Sequence, residues 1–312
     1  MASTETIKSI RKPGVGRRII RDWQLIVLCA PALVYILLLE YGPIWGVQIA
    51  FKRFQFGSTI WTSPFIGFEN FIRFLQYPYF GRILRNTLTI SFWQLVIPFP
   101  ITILMALVIN TCSRPMLKRV YQTVVYAPHF ISVVVLVGMI YIFFDSRTGI
   151  VNTAIQAFGG QSIFFLSKPG MAIPFLVGSH VWQACGWSST LYLASLSSVP
   201  PELYESAMMD GASRFQRVIH IDIPSIIPTM VVILILRIGQ LLSLDWQKVL
   251  LLQNSFNLRV TEILQTYVYK TGILQGDYSY AAAAGLFVSI INLALIILAN
   301  RASKAIGSGG LW

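Results

Sequence analysis

The side chains with the types and spacing to do chemistry in this sequence are polar groups set inside long apolar stretches. Polar groups are expensive in such surroundings and often face a cavity. The candidates combine amides, hydroxyls, aromatic rings and one cation: Gln94, Gln183, Trp187, Ser189, Tyr192, Arg237, Gln240 and Asn292. Aromatic rings beside amides and hydroxyls would suit sugars, which present apolar ring faces and hydroxyl edges. We expect these residues to line a substrate pathway; the alternative is that Ser and Gln serve as hydrogen-bond partners between helices.

Arg237 is the most informative of these residues, because an unpaired cation is hard to tolerate in an apolar segment. Asp245 lies two helical turns further along the chain. The two could therefore pair only across a bend or through another helix. The alternative is that Arg237 lines the pathway and meets an acidic substrate. The sequence leaves both possibilities open.

Catalytic and metal-binding arrangements are not evident in the sequence. His129, His180 and His220 have no companion at the spacing of metal ligands, and the three cysteines show no paired spacing. No Ser/His/Asp set or pair of carboxylates suggests catalysis. We therefore expect no catalytic site, no metal site and no cofactor bound by this chain.

The composition points to a membrane protein. Hydrophobic residues make up 55% of the 312 residues and charged residues 12%, against roughly 25% charged in ordinary soluble domains. The net charge of +12 comes largely from basic residues beside the apolar stretches, where they attract anionic lipid and fix orientation. This distribution favours membrane lipid over nucleic acid as a partner.

Six apolar blocks are long enough to cross a bilayer, which takes a helix of about 20 residues. They run approximately over 24–49, 87–109, 123–144, 171–196, 225–244 and 280–299. Basic residues are denser on the side of the N-terminal arm, which predicts that both termini are cytoplasmic. We therefore expect an all-α integral membrane protein with a basic arm (1–22), a six-helix transmembrane domain (23–301) and a flexible C-terminal tail (302–312).

A long polar run over 200–228 separates the fourth and fifth blocks. Pro200 and Pro201 can start a helix, because the missing N–H costs nothing there. Gly211 permits a sharp turn, and a second short helix is predicted over 212–220. From spacing alone, the first helix either docks in a groove of a soluble partner or lies on the membrane surface.

The motifs of this run resemble the EAA loop of ABC importer permeases. They are Glu205-Ser206-Ala207, Asp210-Gly211-Ala212 and Ile223-Pro224. Ser206 replaces the usual alanine and Ile223 the usual leucine, and both changes are small. The segments RDWQLIVLCAPALVYILLLEYGPIWGVQIAFKRF, FIGFENFIRFL and ILRNTLTIS extend the similarity. They resemble the LplB-type, maltose-permease-like subgroup of carbohydrate permeases.

The resemblance implies a six-helix type I ABC importer permease fold in a bacterial cell membrane, with a cytoplasmic coupling helix in the loop 200–224. Its ATPase-coupling residues would be Glu205, Ser206, Ala207, Met208, Asp210 and Gly211. It also implies a second permease subunit, two ATPase subunits and an extracellular or periplasmic substrate-binding protein. The chain contains no GxxxxGK[ST] phosphate-binding sequence, so ATP would be bound by the partner subunits. The cargo would be an oligosaccharide or a related sugar, and this chain would not be an enzyme.

Two other classes of function fit the sequence less well. A self-contained secondary transporter would favour an internal repeat and carboxylates inside the spans. No clear repeat is visible, and Glu40 is the main carboxylate candidate within a span. A membrane enzyme or scaffold is the other class, and no catalytic arrangement supports it.

Overall fold

The computed structural model describes residues 23–55, 57–243, 245–305, 307 and 310–311. Within these ranges the regular structure is helical, and β-pairing is limited to one isolated bridge between Lys52 and Phe65. The basic arm predicted over 1–22 lies outside the described residues. All six predicted apolar blocks fall on helices, so the prediction of an all-α membrane protein is confirmed.

The helices are numbered here in chain order. The longer ones are α1 (Trp23–Phe51), α2 (Glu69–Leu75), α3 (Phe80–Thr111), α4 (Pro115–Phe130), α5 (Val133–Phe143), α6 (Ile150–Ala157), α7 (172–196), α8 (Pro201–Met209), α9 (Arg214–Gly239), α10 (Trp246–Leu252), α11 (Leu258–Thr261), α12 (264–274) and α13 (Tyr278–Ala305). By length and composition, α1, α3, α9 and α13 are apolar enough to cross a membrane. The tail predicted from residue 302 begins with helical residues, because α13 continues to Ala305.

The third predicted block is a bent pair of helices and not one straight span. α4 and α5 meet at 96°. At the break, Ser132 caps α5 by accepting a hydrogen bond from the backbone N–H of Val135. Gln183 of α7 donates to the carbonyl of Ile131 at 2.8 Å. The freed backbone groups are thus satisfied by side chains, as buried backbone in a membrane requires.

The fourth block forms one continuous helix, α7, which is more polar than the four most apolar helices. His180, Gln183 and Ser188 lie in its middle turns. Gly186 lets α7 approach α4 closely, since a Cβ at this position would lie 2.1 Å from the carbonyl oxygen of Val125. The polar groups of α7 are therefore held deep in the bundle.

The fifth span begins earlier than predicted. The helix expected over 212–220 is not a separate element, because α9 runs without a break from Arg214 to Gly239. Ser213 and Gln216 form a reciprocal capping box at its start. Pro224 has no N–H to donate, and the helix passes it through a π-helical turn over Val218–Asp222. The first turns of α9 thus join the loop rigidly to the span.

Buried apolar side chains form three clusters. The first joins α3, α5, α7 and α10, and its members include Ile90, Leu136, Leu176 and Val249. The second joins α3, α7 and α9, and the third joins α2, α3, α12 and α13. In contrast, no residue of the apolar window of α1 is buried. The side chains of α1 must be covered by lipid or another chain, because so large an exposed apolar surface marks a contact site.

Candidate functional site

A cavity of about 260 Å³ lies where α3, α7 and α9 meet. Four of the predicted pathway residues line it: Gln94 from α3, Tyr192 from α7, Arg237 from α9 and Gln240 just after α9. Thr102, His180 and Ser188 add further polar groups to an otherwise apolar wall. The structure therefore brings an amide pair, a phenol and a guanidinium from distant parts of the chain to one enclosed space. We call it the central cavity.

Gln94 has no hydrogen-bond partner in this cavity. Its side chain is 4% exposed, and neither its Oε1 nor its Nε2 is bonded to another protein group. A buried polar group left unpaired costs about 1–3 kcal/mol. The amide of Gln94 is therefore available to bond a molecule that enters the cavity.

Arg237 is likewise unpaired. The possible partner Asp245 is occupied, because its Oδ2 lies 2.6 Å from His180 Nδ1 and 3.2 Å from Lys248 Nζ. Across the described ranges, Arg237 forms no ion pair or hydrogen bond. Of the two possibilities left open by the sequence, the pair with Asp245 is not formed. The guanidinium therefore faces the cavity with its charge uncompensated.

The other four predicted pathway residues lie outside the cavity lining. Gln183 bonds the carbonyl of Ile131, and the buried Ser189 bonds the carbonyl of Gly186 at 2.6 Å. Asn292 accepts from the N–H of Leu242 and donates to Ser243. The Trp187 ring stacks on His129 with ring centroids 5.0 Å apart. Their contacts hold helices together, and substrate contact by these four stays a prediction.

The sequence did not identify the cluster of His180, Asp245 and Lys248 beside the cavity. His180 has no companion nearby in the sequence, so it gave no sign of a site. Its signal is its position on α7, where residues 180, 184, 188 and 191 follow one face of a helix. Lys248 is only 1% exposed, and Asp245 adopts a left-handed backbone conformation with φ 47°. No group of three His, Cys, Asp or Glu side chains that could hold a metal lies among the described residues.

The loop helix α8 carries the predicted coupling residues on its exposed side and at its end. Glu205, Ser206, Met208, Asp210 and Gly211 are exposed, and Ala207 is half-buried. The neighbouring Met209 and Phe215 are 89% and 72% exposed. Methionine is adaptable and common at binding surfaces. This exposed apolar surface therefore suits contact with another protein.

Gly211 ends α8 in a Schellman motif. The N–H of Ala212 bonds the carbonyl of Ala207 at 2.8 Å, and the N–H of Gly211 bonds that of Met208 at 3.1 Å. Gly211 itself has φ +79°, a conformation that glycine adopts without a steric cost. The predicted sharp turn after α8 is thus confirmed.

A buried carboxylate ties α8 to the membrane helices. Asp222 of α9 is 2% exposed, and its Oδ1 accepts from the Tyr204 hydroxyl at 2.5 Å and from Asn110 Nδ2 at 3.5 Å. Burial and the hydrogen bond to Asp222 raise the pKa of Tyr204 to about 12. Tyr204 therefore stays a protonated donor at neutral pH. We call Tyr204, Asp222 and Asn110 the loop clamp.

A model of one protein family, the binding-protein-dependent transport system inner membrane component, matches residues 98–307. The chain belongs to this family. It is thus a permease of the ABC importer type, as the loop motif indicated. The match covers the central cavity, α8 and the loop clamp.

Individual relatives agree along nearly the whole permease. It is 42% identical to protein LplB of Bacillus subtilis (strain 168), over 94% of this chain and 92% of that protein. It is 39% identical to the polygalacturonan/rhamnogalacturonan transport system permease protein YteP of the same organism, over 95% and 92% respectively. The predicted LplB-type resemblance is confirmed.

Solved structures share its fold. One is a chain of a bacterial ABC transporter involved in the import of the acidic polysaccharide alginate. Its TM-score is 0.85 and its identity 35%, covering 94% of this chain and 99% of that chain. A second is a bacterial alginate ABC transporter in complex with an alginate pentasaccharide-bound periplasmic protein, with a TM-score of 0.85 and 34% identity, covering 95% and 99%. The predicted type I permease fold is confirmed.

One helix of this permease carries both functional features. Asp222 lies near the start of α9 and Arg237 near its end, 15 residues or about 22 Å apart. A rigid helix clamped at the loop would move its cavity end when the loop moves. The geometry thus connects the exposed α8 to the central cavity through α9.

Proposed function

We propose that this permease is the translocation subunit of a bacterial ABC importer for oligosaccharides or related sugars. The unpaired amide of Gln94 and guanidinium of Arg237 in the central cavity carry this proposal. Sugars offer many hydroxyl groups that such side chains can bond, and the Tyr192 ring can pack against a sugar face. The import of alginate by a structural neighbour supports the same class of cargo.

The proposed assembly contains a second permease, two ATPase subunits and an external substrate-binding protein. In it, both termini and α8 of this permease face the cytoplasm. The coupling residues Glu205, Ser206, Ala207, Met208, Asp210 and Gly211 contact an ATPase, which binds the ATP, so this subunit is not catalytic. The exposed apolar surface beside them supports this contact. ATP-driven movement of α8 would reach the cavity through the loop clamp and α9.

A self-contained secondary transporter has less support in the structure. Its candidate ion-coupling carboxylate, Glu40, is exposed on α1 and does not line the central cavity. A carboxylate that couples an ion to transport should lie in the pathway or in the bundle interior.

Co-purification and reconstitution test the proposal. The tagged permease should co-purify with an ATPase and a second permease. Proteoliposomes holding that complex should take up an oligosaccharide only with ATP and the binding protein. A monodisperse permease that transports sugar alone, without ATP, would contradict the proposal.

A further inference from the structure

A second cavity, of about 700 Å³, lies at the end of α3 remote from the loop clamp. It is lined by Arg82, Arg85 and Asn86 of α3, Arg259 of α11 and Ile173 of α7, among others. We call it the arginine cavity. Arg82 lies 3.4 Å from Glu262, so its charge is compensated. Arg85 and Arg259 are exposed and form no ion pair within the described ranges. The cavity therefore keeps two uncompensated positive charges.

The wall that carries Arg259 is fixed to α3 by hydrogen bonds. Asn86 Nδ2 donates to the carbonyl of Arg259 at 3.0 Å and to that of Glu262 at 3.1 Å. One turn on, the Thr87 hydroxyl accepts from the N–H of Leu264 at 2.9 Å. These bonds hold the backbone of α11 beside Arg85. The two free cations therefore share one cavity because of the fold.

The arginine cavity and the central cavity lie along the same pair of helices. On α3, residues 82, 86, 90 and 94 repeat every four positions, so they share one face. Arg82 to Ile90 line the arginine cavity, and Gln94 lines the central one. Ile90 and Gln94 are one turn apart, about 6 Å along the helix. On α7, Ile173 and His180 repeat the same order.

A buried apolar layer separates the two cavities. Ile90 of α3 and Leu176 of α7 belong to one cluster and are 2% and 1% exposed. A molecule that moved between the cavities would have to part these side chains. The seam between α3 and α7 thus contains a cationic cavity, an apolar barrier and a second cavity with the cation Arg237.

We propose that the arginine cavity is a carboxylate-binding station, at which an acidic oligosaccharide binds before it passes to Arg237. The inference rests on the proposed function, in which this end of α3 faces outward. Guanidinium groups bind carboxylates through charge-assisted hydrogen bonds. Successive weak sites let a charged substrate advance without being trapped. The cargo class is therefore a sugar oligomer that carries carboxylates, such as an oligouronate.

Chemical protection tests binding at the station directly. Phenylglyoxal modification of each arginine in the purified full importer is followed by mass spectrometry. The probes are oligogalacturonate, oligomannuronate and carboxyl-reduced oligogalacturonate of matched length. An oligouronate at ten times its dissociation constant should slow modification of Arg85 and Arg259 roughly tenfold. The reduced sugar should not slow it, and the exposed Arg147 serves as the internal control.

A double variant tests the role of the station in transport. Arg85→Gln with Arg259→Gln should lower the uptake of an acidic oligosaccharide roughly tenfold in phosphatidylcholine proteoliposomes, since each tenfold corresponds to about 1.4 kcal/mol. Arg147→Gln, which removes one exposed arginine that does not line the cavity, should leave uptake unchanged. The affinity of the empty binding protein for the importer should also be unchanged.

Several results would overturn the station. They are absence of protection by both oligouronates, equal protection by the reduced sugar, and a loss of binding-protein affinity in the double variant, which would identify a docking face. Protection by phosphatidylglycerol vesicles without sugar would identify a lipid site instead. The proposed function fails separately, if the wild-type importer takes up no sugar with ATP and its binding protein.

Discussion

The two ends of α9 treat polar side chains in opposite ways. Near its start, the buried Asp222 accepts hydrogen bonds from Tyr204 and Asn110. Near its end, Arg237 lies in the central cavity beside Gln94, and neither side chain has a protein partner in the described ranges. Satisfied buried networks rigidify a structure, whereas unpaired groups lower stability unless a guest binds them. The comparison teaches that the loop end is built to transmit force and the cavity end to receive cargo.

The largest effect is expected when the clamp is broken at Tyr204. Tyr204→Phe removes the hydroxyl donor and leaves the buried carboxylate of Asp222 short of a partner. A hydrogen bond to a charged group contributes about 1.5–3 kcal/mol. The assembled importer should lose thermal stability and ATP-driven uptake while keeping its basal ATPase activity. Tyr121→Phe, at an exposed tyrosine of α4, is the matched control, and equal losses in both variants would remove the clamp from the account.

A smaller effect is expected from strain at the end of α8. Gly211→Val places a β-branched residue at φ +79°, where a left-handed conformation costs about 1–2 kcal/mol. The end of α8 should rearrange and uncouple ATP hydrolysis from uptake. Gly46→Val, in open space on α1 without a positive φ, is the control. Normal uptake by the Gly211 variant would sink its coupling role.

Two glutamines provide a matched comparison between the cavity and the packing sites. Gln94→Leu removes an unpaired buried amide, so the protein should become more stable by about 1 kcal/mol while sugar uptake falls. Gln183→Leu removes a bonded amide and leaves the Ile131 carbonyl unpaired, so stability should fall by a similar amount. Thermal unfolding of both variants checks the signs. Destabilisation by Gln94→Leu would mean that this amide is already satisfied.

The smallest effect is expected from pH. The pKa of Tyr204 is raised to about 12 from about 10 in an unfolded chain. The folded state therefore holds its proton more tightly, and the stability from this group is fully present below about pH 10. It is lost as the pH rises through the folded pKa. Unfolding scans of wild type and Tyr204→Phe should show a constant difference from about pH 6 to 9 that shrinks above pH 10; a change between pH 6 and 9 would contradict this assignment.

The sequence predicted local features better than distant contacts. Gly211 and the two prolines before α8 act within a few residues, so their roles follow from the sequence itself. Gln94 and Gln183 look alike in the sequence, because both lie in apolar blocks. Only the break between α4 and α5 gives Gln183 a partner, and averaged hydrophobicity does not reveal such a break. Tyr204 and Asp222 are 18 residues apart on two different helices, and no periodicity relates them.

The most direct test of the account compares the uptake of charged and neutral cargo through the central cavity. Arg237→Met keeps an unbranched apolar side chain and removes the only change in charge. ATP-driven uptake by the reconstituted importer is measured for an acidic oligosaccharide and for its carboxyl-reduced form. The account predicts a loss about tenfold larger for the acidic sugar, corresponding to about 1.4 kcal/mol. An equal loss for both sugars, or no loss for either, would contradict direct recognition by Arg237.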